Sequence, residues 1–187
     1  MKRLFFALDI CDEDKRSIIE WRTINLDNTL AIIHPITENN LHITLAFLGE
    51  VTMSQQLAFT QYCDEKFYST SSEYFTRLAN NSSFDLSMDL LQLFDKPKVL
   101  YLGFNVFPDT LISLADTLSK KAIEQGLFQE DRNYCPHVSI ARKIKKLPTI
   151  QALNIPLNVT SFSLYNSQSS VQGVSYSKLN TWSLLLK

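Results

Sequence analysis

Two short runs dictate most of what this chain can become. Leu41-His42-Ile43-Thr44-Leu45 and Pro136-His137-Val138-Ser139-Ile140 each set a histidine two residues before a hydroxyl, inside a β-like stretch with apolar neighbours. Successive residues of a strand point to opposite faces. His42 and Thr44 therefore share one face, and Ile43 and Leu45 the other. His137 and Ser139 repeat the arrangement against Val138 and Ile140. Only three histidines occur in the chain, and two of them occupy this one local frame.

The frame belongs to a longer recurrence. Leu4–Ile10 opens as a buried strand, and Lys98–Phe104 begins a similar series. Leu4 to Leu100 is a step of 96 residues, and His42 to His137 a step of 95. Each half runs strand, helix, histidine strand. Such self-similarity predicts an internal duplication. The expected fold is α+β, a single domain over 1–187 made of two interleaved lobes, with one motif near 41–50 and the other near 134–142.

Helices are expected over about 12–27, 53–68 and 109–125. The last is apolar at Leu111, Leu114, Ala115, Leu118 and Ala122, a helical spacing, with Gly126 suited to its C-terminal cap. Residues 31–37 read as a short extended piece. The stretch 73–86 reads as extended, with a hairpin or bulge signal at Asn80-Asn81-Ser82-Ser83. A short helix or turn near 148–153 and strands near 156–166 and 175–186, around a Ser/Gln/Gly-rich loop at 167–173, complete the chain.

Composition narrows the chemistry. A formal net charge of −1 excludes a protein that coats long nucleic acids through bulk charge, but leaves room for recognition of one nucleotide or one RNA end. With 4 glycines and neither GxGxxG nor GxxxxGK[ST], glycine-rich phosphate loops have no support. Cys11, Cys63 and Cys135 are odd in number and lack a CxxC spacing. Met1-Lys2-Arg3 leads into an apolar run that soon meets Asp9, and no apolar stretch nears the ~20 residues that cross a bilayer. These features predict a soluble cytoplasmic protein whose cysteines mostly pack.

Two histidines facing one space can divide acid and base roles, since an ordinary pKa of ~6.5 lets one be neutral and the other protonated near neutral pH. That suits in-line displacement at phosphorus, with one ring deprotonating the nucleophile and the other protonating the leaving oxygen. Thr44 and Ser139 would donate to the non-bridging phosphate oxygens, and no metal or cofactor is called for. A bell-shaped pH profile with both limbs near ordinary histidine values follows.

Leu41–Glu50 and Tyr134–Arg142, with Arg3–Asp9 at the start and Tyr176–Leu184 near the end, resemble the 2H phosphoesterases. Within them the chain is similar to the bacterial RNA 2′,3′-cyclic phosphodiesterases, also called 2′,5′-RNA ligases. The resemblance spans nearly the whole chain. It implies a bilobal pseudo-twofold fold with two antiparallel sheets facing a central cleft and helices outside. It implies opening of 2′,3′-cyclic phosphates at RNA 3′ ends, or on small nucleotides, to 2′-phosphates. A reversible, ATP-independent 2′,5′ ligation accompanies that activity in the family. By position His42 and His137 become the acid/base pair, Thr44 and Ser139 hold the phosphate, and Arg142 contacts phosphate or an adjacent nucleotide. His42 is assigned as the donor to the departing 3′ oxygen and His137 as the activator of water, with the reverse assignment left open. Strict alternation puts Arg142 on the face opposite His137, so a bulge or the strand's end would have to turn it inward.

Three departures from the family pattern stand out. Ser139 replaces threonine, Tyr134 replaces phenylalanine, and Ile32-Ile33-His34-Pro35 stands in place of an Arg-Trp pair. His34 reads as a surface residue more readily than as a stacking surface. Phe47, Phe104 and Phe128 each lie in apolar runs and read as core. The basic run Arg142–Lys146 reads equally as an RNA-guiding rim or as a solvated turn. Competing functions are another 2H activity, on ADP-ribose cyclic phosphate or a 2′,5′-oligonucleotide, and a non-catalytic RNA-end-binding module. No membrane and no obligate protein partner are expected.

Overall fold

The computed structural model describes residues 1–30, 34–67, 84–129, 133–150, 152–171 and 173–184. In chain order the elements are β1 (Lys2–Leu8), α1 (Asp12–Leu30), β2 (His34–Pro35), β3 (Ile43–Val51), α2 (Met53–Phe67), β4 (Phe84–Met88) and β5 (Leu90–Phe94). They continue with β6 (Val99–Gly103), α3 (Asp109–Glu124), β7 (His137–Arg142), β8 (Ile155–Val159), β9 (Ser161–Ser170) and β10 (Gly173–Ser183). The fold is α+β and its strands pair antiparallel, as expected.

The main sheet has the order β10-β9-β1-β3-β7-β6-β5, with β2 beside β7, and a separate ribbon pairs β4 with β8. It reads as two antiparallel halves joined at a seam. On one side lie β10, β9, β1 and β3; on the other lie β7, β6 and β5. Among the described residues, β3 and β7 meet at one register position, Ile43 with Val138. Beyond it, two residues that precede β7 reach the edge of β3 through their side chains. Tyr134 Oη donates to Thr44 O at 3.0 Å, and Gln129 Nε2 donates to Phe47 O at 2.9 Å. The hydroxyl that sets Tyr134 apart from the family's phenylalanine thus ties one motif to the other.

Strand alternation divides the sheet's two faces. Leu4, Phe6 and Leu8 of β1 point into the core, where they meet Ile18 of α1, Phe59 of α2, and Trp182. Phe5 and Ala7 of the same strand form a second cluster with Tyr165 on the opposite face. Helix α3 buries Leu111, Leu114, Ala115, Leu118 and Ala122, the stripe that its spacing predicts, and Gly126 takes φ +75° just beyond it. Among the described residues, no helix is long and apolar enough to cross a membrane.

Several expectations change. The run 148–153 forms no helix among its described residues. The segment expected as a loop, 167–173, is mostly strand, because Ser167 pairs with Tyr176 and Ser169 with Val174 in a long hairpin. The final region holds three strands, with β8 breaking away to pair with β4. Strand β5 has no counterpart in the sequence reading. The signal at 80–83 and residues 31–33 lie outside the described residues. Only Cys63 is buried; Cys11 and Cys135 are exposed, so packing is the role of one cysteine, not of most.

Candidate active site

The seam builds the site. Because Ile43 lies opposite Val138 in antiparallel register, the positions on either side set His42 opposite Ser139 and Thr44 opposite His137. All four point away from the core, whose side of the two strands takes Ile43 and Val138, both 0% exposed. Directly opposed Cβ atoms stand about 4.5–5.5 Å apart and diagonal ones about 7–8 Å. On that register each histidine has the other motif's hydroxyl across from it and the other histidine on the diagonal, near enough for the charge of His137 to act on His42.

Both rings are held in the same way. His42 Nδ1 donates to Asn40 O at 2.7 Å and His137 Nδ1 donates to Cys135 O at 2.8 Å, in each case the carbonyl two residues earlier. With Nδ1 carrying the proton, Nε2 of a neutral ring is the free acceptor. For His42 it accepts from Thr44 Oγ1 at 3.1 Å. His42 packs against Phe5, Tyr165 and Tyr176, with ring centroids 5.0, 6.4 and 5.1 Å away. His137 packs against Phe94 and Tyr101, at 5.0 and 5.1 Å. Burial among aromatic rings, which penalises the charged form, together with the charge of His137, lowers His42 to about 4 despite the opposing pull of Asn40 O. Repulsion between the rings favours a pair that carries one proton.

Arg142 is the test of alternation, and a bulge decides it. In the β6–β7 register Ala141 pairs with Leu100 and Ser139 with Tyr101, which leaves Ile140 as the extra residue. The Ile140 carbonyl accepts from Ile36 N at 2.9 Å and from the buried Arg22 Nη1 at 3.0 Å. Parity shifts by one, so Arg142 returns to the face of Ser139 and lines the cleft with His42 and Thr44. Strand β3 carries the same defect at the same place: Leu45 is skipped between Thr44 and Ala46 in its pairing with β1. That turns Phe47 onto the face of Thr44. Phe47, expected in the core, is 45% exposed and lines the cleft; Phe128 is 84% exposed, and Phe104, at 5%, is the one that packs.

The cleft on the β3 side is a cavity of about 210 Å³ that also takes in Arg3, Ser167 and Tyr176. Two guanidiniums and no carboxylate line it, which favours an anion. Arg3 lies 5.0 Å over the Phe47 ring. His137 and Ser139, across the seam, are not among the residues that line the cavity. His34 is exposed and pairs with Arg142 at the sheet's margin. Of the basic run, Lys143, Lys145 and Lys146 are exposed and Ile144 is buried.

Arg3, Phe5, Tyr165 and Tyr176 join the site without being singled out as site residues by their sequence pattern. The signal for Phe5 is its odd step from Leu4 and Phe6, and for Tyr176 the strand that hides within polar composition. Asp9, at the end of β1, fixes this aromatic wall from behind. It accepts hydrogen bonds from Ser161, Ser163 and Tyr165, and Lys178 lies 3.0 Å away. Those donors lower its pKa although burial opposes them.

Residues 16–174 match the family model of the AKAP7 2′5′ RNA ligase-like domain. The RNA 2′,3′-cyclic phosphodiesterase of Escherichia coli (strain K12) is 31% identical over 185 residues, covering 98% of this chain and 97% of that one. The protein of the same name from Thermotoga maritima is 26% identical, covering 95% and 92%. The crystal structure of E. coli LigT complexed with 3′-AMP superposes with a TM-score of 0.80, over 99% of each chain.

Proposed function

Because the chain belongs to the 2H phosphoesterases, as an AKAP7 2′5′ RNA ligase-like domain, we propose that it hydrolyses 2′,3′-cyclic phosphate ends of RNA or nucleotides to 2′-phosphates without a metal. The observation that supports this best is the single bridge, Ile43 with Val138, which gathers both histidines and both hydroxyls on one face. The cyclic phosphate sits on the diagonal between the rings. Thr44 and Ser139 donate to its non-bridging oxygens, where charge builds as the fifth bond forms. Water attacks phosphorus in line as His137 Nε2 takes its proton. The P–O3′ bond breaks, and His42 Nε2–H protonates the departing oxygen. A 5′-hydroxyl in place of water yields a 2′,5′ linkage by the same steps.

His42 enters the free protein neutral, at about 4. An anionic phosphate beside it favours the charged form, so the pair's single proton moves to His42 when the substrate binds. For a pair that must hold one proton, the acidic limb of kcat/KM reports the lower titration of the free protein. That limb is expected near pH 4, not near the ordinary histidine value. An acidic limb at ~6.5 would contradict the burial of His42. Stability shares the sign: the unfolded chain binds a proton below ~6.5 that the folded chain refuses until about 4. The contribution is complete above that window and is lost as pH falls through it.

The test is a short RNA ending in a 2′,3′-cyclic phosphate, incubated with the protein after exhaustive chelation. Full activity and a 2′-phosphate product, located by mass and by phosphatase sensitivity, are expected. A strict divalent-ion requirement or a 3′-phosphate product would overturn the reading.

A further inference from the structure

Phe128 is exposed, although it follows a residue, Leu127, that packs against the core, and its backbone lies beside that of Phe47, which lines the cleft. One nitrogen fixes the pair: Gln129 Nε2 donates to Phe47 O at 2.9 Å and to Phe128 O at 2.8 Å. Tyr134 reaches Thr44 O and Gln129 reaches Phe47 O, two contacts with the edge of β3. Leaving a phenylalanine in water forfeits about 1.5–3 kcal/mol of burial. Here it is 84% exposed, and Phe47, whose carbonyl shares the Gln129 amide with that of Phe128, is 45% exposed with the Arg3 guanidinium 5.0 Å over its ring. Exposed aromatic rings near a cation are the kind of surface that unpaired bases and their phosphates recognise.

We propose that Phe128, continuing from Phe47, is a stacking ledge for the bases of single-stranded RNA upstream of the nucleotide that carries the cyclic phosphate. The inference rests on the reading given under Proposed function and adds to it a preference for an RNA chain over a mononucleotide. Stacking on one aromatic ring is worth about 1–3 kcal/mol per base. A mononucleotide reaches the histidines without touching Phe128; an oligonucleotide lays its penultimate bases on it.

The experiment compares Phe128→Ala with the wild type on two substrates, a pentanucleotide RNA ending in a 2′,3′-cyclic phosphate and a 2′,3′-cyclic mononucleotide. The variant is expected to raise KM for the pentanucleotide by about 5- to 150-fold, the stacking energy expressed as an affinity ratio. Its kcat and KM on the mononucleotide should stay at wild-type values, and Phe128→Trp should retain the pentanucleotide KM. An unchanged pentanucleotide KM, or an equal loss on both substrates, overturns the ledge. Should the wild type turn over neither substrate, it is the hydrolase reading that fails. The ledge is then decided by fluorescence anisotropy of a labelled pentanucleotide with a 3′-phosphate. Weaker binding by Phe128→Ala supports it, and equal binding overturns it.

Discussion

His42→Ala and His137→Ala should each lower kcat on a 2′,3′-cyclic phosphate by about 10²–10⁴-fold, the usual worth of one positioned proton donor or acceptor. KM should move far less, because Thr44, Ser139 and Arg142 remain to hold the phosphate. The double variant should be little worse than either single one, since an acid and a base that act in one displacement fail together. Single-turnover rates with melting temperatures measured alongside make the check. A tenfold effect or less from either substitution, in a folded protein, would remove that ring from the proton transfers. Loss of binding in parallel with loss of turnover would favour an RNA-end-binding module over an enzyme.

Phe6→Ala is expected to cost about 3–5 kcal/mol of stability, the range for deleting a large aromatic side chain from a packed core. Phe6 is 0% exposed, and its ring meets Phe59, Trp182 and Phe162 with centroids at 5.8, 5.9 and 6.2 Å. These partners come from α2, β10 and β9, so the cavity would open where three distant parts of the chain converge. Urea denaturation with a fixed slope measures the loss. Phe5→Ala, one residue along the same strand, provides the contrast. Its ring faces the cleft, and its removal should expose His42 to water, moving the acidic limb of kcat/KM upward.

That contrast shows what was legible in the sequence. The sharing of a face by His42 with Thr44, and by His137 with Ser139, follows from two-residue steps within one strand, and no partner strand is needed to read it. The stripe from Leu111 to Ala122 is legible for the same local reason. Phe47 and Arg142 are different. Each lies three residues beyond its motif's hydroxyl, where alternation sends it to the core, and each is returned by one unpaired residue, Leu45 or Ile140. A bulge is a mismatch between two strands, and the opposite strand is distant in sequence. The Ile140 bulge also depends on Arg22, whose guanidinium reaches it from α1. The serines and glutamine of 167–170 misled through composition: their backbone pairing with β10 decides their state, and side-chain polarity says nothing of it. Strand β5 escaped because Asp89 and the Asp95–Lys98 turn enclose only five residues.

The matched bulges carry a consequence of their own. A scaffold with near-twofold symmetry offers its two halves as equals, but a phosphodiester in mid-reaction has a direction, with one oxygen arriving and the other leaving. Equivalent slots filled with equivalent side chains would accept the substrate equally well either way round. The fifth position after each histidine breaks the tie, a flat hydrocarbon ring in one copy and a planar cation in the other. Under the proposed mechanism the polarity of the reaction would be set there, in two residues that the same backbone defect delivers to the same place.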